Sequence, residues 1–149
     1  MYLTGRLRGS KVRIVNATSR TLGIAYAPAD EELSSLDPSV GVQEKPTFFS
    51  IYTNRYVLIG ICSMYNYTGK QVELGIRIWD RDYWGKGYGT EAISLLCEWT
   101  LANTGVKEIL VKAVKTNARA IRAYEKCGFE VTGEEVIDGH DMVWMRKRR

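Results

Sequence analysis

Three glycines at alternate positions, Gly85, Gly87 and Gly89, lie between a strand-like run and a helix-like run in Arg81-Asp82-Tyr83-Trp84-Gly85-Lys86-Gly87-Tyr88-Gly89-Thr90-Glu91-Ala92. Glycine lets the main chain turn through angles closed to other residues and lets a ligand approach the backbone, so successive N–H groups can converge on an anion. A helix beginning near Gly89 adds its unpaired N–H groups and the positive end of its dipole at the same spot. Strand, glycine turn and helix mouth together read as a phosphate cradle; the plain alternative is a tight connection. The G-x-G-x-G spacing lacks the third glycine of the dinucleotide fingerprint at its offset. Lys86 lies between the glycines, whereas a P-loop ends in Gly-Lys-Ser/Thr.

The pattern on either side predicts how this loop is held. Lys11 to Val15 alternates charged and apolar groups and reads as a first strand, with a shorter extended piece around Arg6-Leu7-Arg8. Between Asn16 and Pro46 the periodicity weakens, with Asn16-Ala17-Thr18-Ser19 as one helix cap and Pro28 to Leu33 as the first turn of another helix. Asp37-Pro38 and Gly41 to Pro46 read as loop. Thr47 to Thr53 and Tyr56 to Tyr65, rich in aromatic and branched residues, read as a hairpin turning at Asn54-Arg55. Gln71 to Trp79 continues the meander, with Val72, Leu74, Ile76 and Ile78 on one face and Glu73, Gly75, Arg77 and Trp79 on the other. A helix from about Gly89 to Asn103 packs Ile93, Leu96, Cys97 and Thr100 on the sheet and leads by a right-handed crossover to a parallel strand, Glu108 to Val114. Asn117 caps a second helix that Gly128 closes, and Phe129 to Val136 with Met142 to Arg146 form a last hairpin turning at Asp138-Gly139.

Composition narrows the function. The chain has 149 residues, 45% of them hydrophobic, which is one domain over 1–149 with room for a real core. Its longest apolar runs, Tyr56 to Cys62 and Ile93 to Cys97, are far short of the roughly 20 residues of a membrane helix, and the N-terminus lacks an apolar signal region. The expectation is a cytoplasmic protein with no membrane partner. Cys62, Cys97 and Cys127 are widely spaced without a C-x-x-C pair, so ordinary buried thiols are expected. His140 is the only histidine, which removes Ser-His and Cys-His nucleophile schemes and most metal sites; no metal is expected. The net charge of +4 is matched by Arg146-Lys147-Arg148-Arg149 alone. That tail reads as a solvated terminus, not as a nucleic-acid surface.

A second constellation is Asn117-Ala118-Arg119-Ala120-Ile121-Arg122-Ala123-Tyr124-Glu125-Lys126-Cys127-Gly128-Phe129. Asn117 and Tyr124 are two helical turns apart, roughly 10 Å along the axis. As residues they are a cap and a core aromatic. Beside the glycine loop they take on another meaning. Trp84-Gly85-Lys86-Gly87-Tyr88-Gly89 resembles the acetyl-CoA signature Gln/Arg-x-x-Gly-x-Gly/Ala of the GNAT superfamily of N-acetyltransferases, and the longer phrase Tyr83 to Ala92 looks like its ribosomal-protein N-terminal acetyltransferase branch. Trp84 departs from the Gln or Arg of the signature. The second string resembles the family's Asn-x-x-Ala-x-x-x-Tyr-Glu-Lys-x-Gly-Phe.

This resemblance implies an α/β (α+β) fold, with a mixed, mostly antiparallel sheet, a central βαβ unit that binds acetyl-CoA, and helices packed on the sheet. It implies direct transfer of acetyl from acetyl-CoA to a primary amine, a protein N-terminus or a small-molecule amine. The cofactor-binding set is then Gly75, Ile76, Arg77 and Ile78 along the pantetheine arm, Tyr83, Trp84, Gly85, Lys86, Gly87, Tyr88, Gly89 and Thr90 at the pyrophosphate, and Asn117 with Tyr124 on the second helix. In such a transfer an amine attacks the thioester carbonyl and sulfur leaves as thiolate unless protonated. Tyr124 is the candidate acid for that sulfur and Glu73 the candidate base, acting through a water. Glu73 read as a residue is equally a solvent-facing or ion-paired strand glutamate. Lys86, Arg119 and Arg122 reach toward the nucleotide end of CoA or are plain surface charges. A catalytically silent acyl-CoA sensor and a homodimer both stay open, and the amine acceptor is unspecified.

Overall fold

The structure, a computed structural model, describes residues 12–16, 47–53, 55 and 57–149. The expected extended piece at residues 6–8, the helical turns and loops between residues 17 and 46, and Asn54 lie outside the described residues. Seven strands form one sheet: β1 (Val12–Asn16), β2 (Thr47–Thr53), β3 (Leu58–Tyr65), β4 (Gln71–Ile78), β5 (Glu108–Val114), β6 (Glu130–Ile137) and β7 (His140–Arg148). Their spatial order is β1-β2-β3-β4-β5-β7-β6. Helix α1 (Tyr88–Asn103) joins β4 to β5, and α2 (Ala118–Lys126) joins β5 to β6. All neighbouring strands are antiparallel except β4 and β5, which run parallel through the α1 crossover. The mixed, mostly antiparallel sheet with a central βαβ unit is therefore the fold expected above.

Alternation along the strands sorts the sheet into two faces. Val72 and Leu74 of β4, Ile109 and Val111 of β5, and Val143 and Met145 of β7 are buried with Ile93, Leu96 and Cys97 of α1 in one continuous core. Phe49 of β2 reaches the same helix, its ring edge-on to Trp99 at 5.6 Å. Thr100, buried in α1, returns its hydroxyl to the Leu96 carbonyl at 2.7 Å, which is how a polar side chain is tolerated there. All three cysteines are buried free thiols, as expected.

Two expectations are corrected. The β2–β3 connection is longer than a two-residue turn. The Thr53 N–H donates to the Val57 carbonyl at 2.8 Å, and Thr53 Oγ1 accepts from the N–H groups of Arg55 and Val57 at 3.2 Å each. A threonine hydroxyl thus ties the loop, β3 starts at Leu58, and the register slips between Ile51 and Tyr52. The Asp138-Gly139 turn, by contrast, is as read: both residues have positive φ, 50° and 79°, the left-handed pair that closes a tight hairpin.

The basic tail is the second correction, because it is bonded into the fold. β7 runs to Arg148, pairing Glu108 with Arg148 and Leu110 with Arg146. The Glu108 carboxylate takes Arg148 Nε at 3.3 Å and Arg146 Nη1 at 3.6 Å. Lys147 Nζ donates to the Cys127 carbonyl at the end of α2, at 2.6 Å. Arg149 Nη2 donates to the carbonyls of Leu101 and Thr104 at the end of α1, at 2.7 and 3.0 Å, and its Nε to Val106 O at 3.1 Å. Cations from one strand end therefore satisfy orphan carbonyls at the negative poles of both helices. Arg149→Ala is expected to lower stability by about 1 kcal/mol, the usual net worth of such bonds, read from urea midpoints; an unchanged midpoint would make the cap decorative.

Candidate active site

The site begins where β4 leaves β5. Only Gln71↔Glu108, Val72↔Ile109 and Glu73↔Leu110 are paired. Beyond them β4 continues to Ile78 with its other edge still on β3, and β5 continues to Val114 with its other edge on β7. Leu74 to Ile78 therefore present an unzipped edge toward β5. Gly75 lies in this edge because of what crosses beside it: a Cβ there would come within 2.9 Å of Ser63 Oγ and 3.4 Å of Tyr65 Cε1. Ile76 and Ile78 are half-buried toward α1, and Arg77 is exposed.

The glycine loop follows directly. Asp80 Oδ1 accepts from the Asp82 N–H at 3.0 Å and starts a single 3₁₀ turn, Arg81–Tyr83. The Trp84 indole donates to the Ile78 carbonyl at 2.7 Å, stapling the loop to the end of β4. Tyr83 and Tyr88 pack edge to face at 5.2 Å across the loop. Gly85 and Gly87 have φ of 70° and 88°, the left-handed region that favours glycine. A Cβ at either would meet nothing within 4 Å, so conformation alone holds these positions to glycine and the space above them is open. Gly87 is the N-cap of α1 and brings no side-chain cap. The first helical bond is Glu91 N–H to Gly87 O at 3.0 Å, which leaves the N–H groups of Tyr88, Gly89 and Thr90 ahead of the ladder, at the positive end of the dipole. Lys86 is exposed at the crest. An anion of pyrophosphate type fits this donor set.

The second helix ends next to the first. Asn117 is its N-cap, Oδ1 accepting from the Ala120 N–H at 3.2 Å. The expected cap is thus present, and the amide oxygen is committed to it. At the other end the Gly128 N–H donates to Glu125 O at 3.0 Å and the Phe129 N–H to Tyr124 O at 3.1 Å, the paired bonds of a Schellman stop. Its hydrophobic contact is the Tyr124 ring against Phe129, centroids 5.8 Å apart. The string Tyr-Glu-Lys-Cys-Gly-Phe is therefore a device that fixes one phenol. Tyr124 is 5% exposed, and burial pushes its pKa up, with Cys127 and Cys97 nearby adding to the shift. Cys127 Sγ donates to the Thr90 carbonyl at 3.3 Å, tying the end of α2 to the first turn of α1.

Glu73 is neither solvent-facing nor free. It is 4% exposed, and its carboxylate accepts from Tyr65 Oη at 2.8 Å and Asn66 Nδ2 at 2.9 Å and pairs with Lys112 Nζ at 3.1 Å. Lys112 also lies over the rings of Trp144 and Tyr65, at 5.2 and 5.8 Å. Burying a carboxylate costs several kcal/mol, and three donors offset that cost. Sequence reading missed Tyr65, Asn66 and Lys112 as its partners. The signal was present in the hairpin register, which sets Tyr65 directly opposite Glu73.

Among the described residues no helix is long and apolar enough to cross a membrane, and no group of three or more His, Cys, Asp or Glu could hold a metal ion. The class defined so far is an α/β protein with an uncapped helix mouth beside an opened strand pair. Residues 24–130 match the family described as the acetyltransferase (GNAT) domain. Over 125 residues the chain is 30% identical to the aminoglycoside N(6')-acetyltransferase type 1 of Klebsiella pneumoniae, covering 75% of this chain and 61% of that protein. The chain thus spans less than two thirds of that relative. Among solved structures it is similar to aminoglycoside acetyltransferase AAC(6')-Ib in complex with coenzyme A, with TM-score 0.73 and 25% identity over 93% of this chain and 95% of that one. The ribosomal-protein-S5-alanine acetyltransferase of Vibrio fischeri shares the fold, with TM-score 0.63 and 22% identity over 69% of this chain and 61% of that one. The chain belongs to the GNAT family of acetyltransferases.

Five weak acids in this core are kept protonated by the fold. Burial raises Cys62, Cys127, Tyr65 and Tyr124 and pushes Cys97 up to about 12; the neighbouring Glu73 carboxylate adds to the rise at Tyr65. In an unfolded chain the same groups ionise from about pH 8.5 to 10. The unfolded state then releases protons that the native state keeps, so stability is complete below that range and is lost as pH rises through it toward 12. Urea midpoints taken from pH 7 to 11 are expected to hold to about pH 8 and then fall. A flat series would mean that these groups ionise equally well in the folded protein.

Proposed function

We propose that this protein is an acetyl-CoA-dependent N-acetyltransferase that transfers acetyl directly to the primary amine of a small molecule, with aminoglycosides as the first acceptor class to try. The observation that carries the reading is the adjacency of the opened β4 edge and the uncapped mouth of α1, a slot that ends in an anion cradle. Aminoglycosides come forward because the curated relative named above acts on them and the similarity extends over most of this chain. A protein N-terminus is the other acceptor of the same chemistry.

Acetyl-CoA supplies the acetyl thioester. The loop from Tyr83 to Thr90 cradles its pyrophosphate, with main-chain N–H groups from Gly85 onward, Lys86 among them, as the donors, because those of Tyr83 and Trp84 are bonded to Asp80 O and Arg81 O. The stretch of β4 beyond its pairing with β5, Gly75, Ile76, Arg77 and Ile78, lies along its pantetheine arm, with Asn117 at the start of α2 beside it. Tyr124 keeps its proton at neutral pH and gives it to the departing sulfur. Glu73 is a base only through an intermediary, because three donors already occupy its oxygens. That saturation favours a second reading, a catalytically silent acyl-CoA sensor on the same slot. A cytoplasmic location and a homodimer, checked by light scattering, belong to the primary reading.

Release of CoA thiol should be followed against aminoglycosides, polyamines and N-terminal peptides, beside calorimetric titration of acetyl-CoA. Turnover on one amine class is expected. Tyr124→Phe is expected to lower kcat by about 10²-fold with acetyl-CoA affinity retained, and unchanged turnover would remove Tyr124 from the acid role. Binding without turnover on any amine would select the sensor, and absence of binding would sink both readings.

A further inference from the structure

Arg119 stands in the first turn of α2, and its guanidinium carbon lies 3.8 Å from the centroid of the Trp84 ring. That is van der Waals contact over the ring, far closer than the 5.4 Å of Arg81 over the same ring. Trp84 is itself immobilised. Its indole N–H is bonded to the Ile78 carbonyl and its main-chain N–H to Arg81 O at 3.0 Å. The ring is thus a shelf built into the glycine loop, and an arginine from another element rests on it.

Stacking takes up the face of a guanidinium and leaves its edge, with the N–H groups, available. Among the described residues no carboxylate lies within ion-pair distance of Arg119. The two acids of the neighbouring turn are otherwise placed: Asp80 accepts from the Asp82 main chain, and Asp82 is exposed. A second cation, Arg81, shares the ring, so two guanidinium groups meet on one side chain of the glycine loop. Arg122, one turn along the same face of α2, is exposed and has no ring beneath it among the described residues.

We infer that Arg119, held on Trp84, is the positioned cation that grips a phosphate at the nucleotide end of CoA, the end that the main-chain donors of the loop do not neutralise alone. This rests on the acetyl-CoA reading above. A free surface arginine loses its rotamer freedom when it grips a phosphate, and one already laid on a ring loses less. The edge of the fork suits two phosphate oxygens at once. Trp84 is then a platform, and its place in the glycine signature is explained by the charge that α2 sets upon it.

The test is calorimetric titration of CoA and of dephospho-CoA, which lacks the 3′-phosphate, into the full chain and its variants. Arg119→Ala is expected to bind CoA about tenfold more weakly, and Arg119→Lys to recover only part of that loss because a lysine neither stacks flat nor forks. Arg122→Ala, the same charge change on the same helix, is expected to stay within about twofold of the parent. A loss confined to CoA puts Arg119 on the 3′-phosphate, and an equal loss for dephospho-CoA puts it on the pyrophosphate; either supports the inference. Parent-like CoA binding by Arg119→Ala overturns it. So does an equal loss in Arg122→Ala, which would make the effect one of net charge. A parent protein that binds no CoA fails at an earlier step and overturns the transferase reading with it.

Discussion

The parting of β4 from β5 after three residue pairs is the constraint on which the site depends. Two parallel strands in the middle of a sheet ordinarily continue their ladder, because a buried main-chain group without a partner costs about 1–3 kcal/mol. Here each strand keeps a partner on its outer side, β3 along Glu73 to Ile78 for one and β7 along Glu108 to Val114 for the other. The sheet can therefore open at its centre without unravelling. Past Glu73 the edge of β4 is released from β5, and the chain leaving β4 runs straight into the glycine loop.

The two helices that frame the gap are finished differently. α2 is capped at both ends, by the Asn117 side chain and by the Schellman turn with Lys147. α1 has its carbonyl end closed by Arg149 and its N–H end left without a side-chain cap. A Ser, Thr, Asp or Asn at the position of Gly87 would contribute about 1 kcal/mol to the helix, but it would occupy the donors and strain the left-handed backbone there. The mouth of α1 is less stable than it could be, and more receptive for that reason. Glu73 shows the opposite treatment: a buried charge surrounded by Tyr65, Asn66 and Lys112 until none of its oxygens is idle.

What could be read from the chain was whatever is encoded within a few residues. Gly85 and Gly87 announce left-handed turns, Asn117 a cap, Gly128-Phe129 a helix stop, and Asp138-Gly139 a tight hairpin, and each local geometry is there. Contacts between distant positions were not legible. Nothing near Arg149 says that it will meet Leu101, and nothing near Lys112 says that it will lie between Glu73 and Trp144. The four terminal cations looked like a solvated tail because their acceptors, the carbonyls of two helix ends and one carboxylate, exist only once the sheet is assembled. Glu73 was ambiguous for a related reason: a single glutamate on an alternating strand looks the same whether its face is wet or covered.

The reach of β7 has a temporal side. Arg149 closes the end of α1 across 48 positions of sequence, and Lys147 closes α2 across 20. Both helices leave the ribosome before the strand that finishes them, at about 5–20 residues per second. Until β7 threads between β5 and β6, the carbonyl ends of α1 and α2 are open to fraying, and closing so long a loop must precede the reward. The ligand-facing mouth of α1 is encoded early in the chain, while the counterweight at its other pole arrives only with the closing strand. A nascent chain halted before β7 would carry the full glycine loop and the full Tyr124 motif on helices that are not yet held.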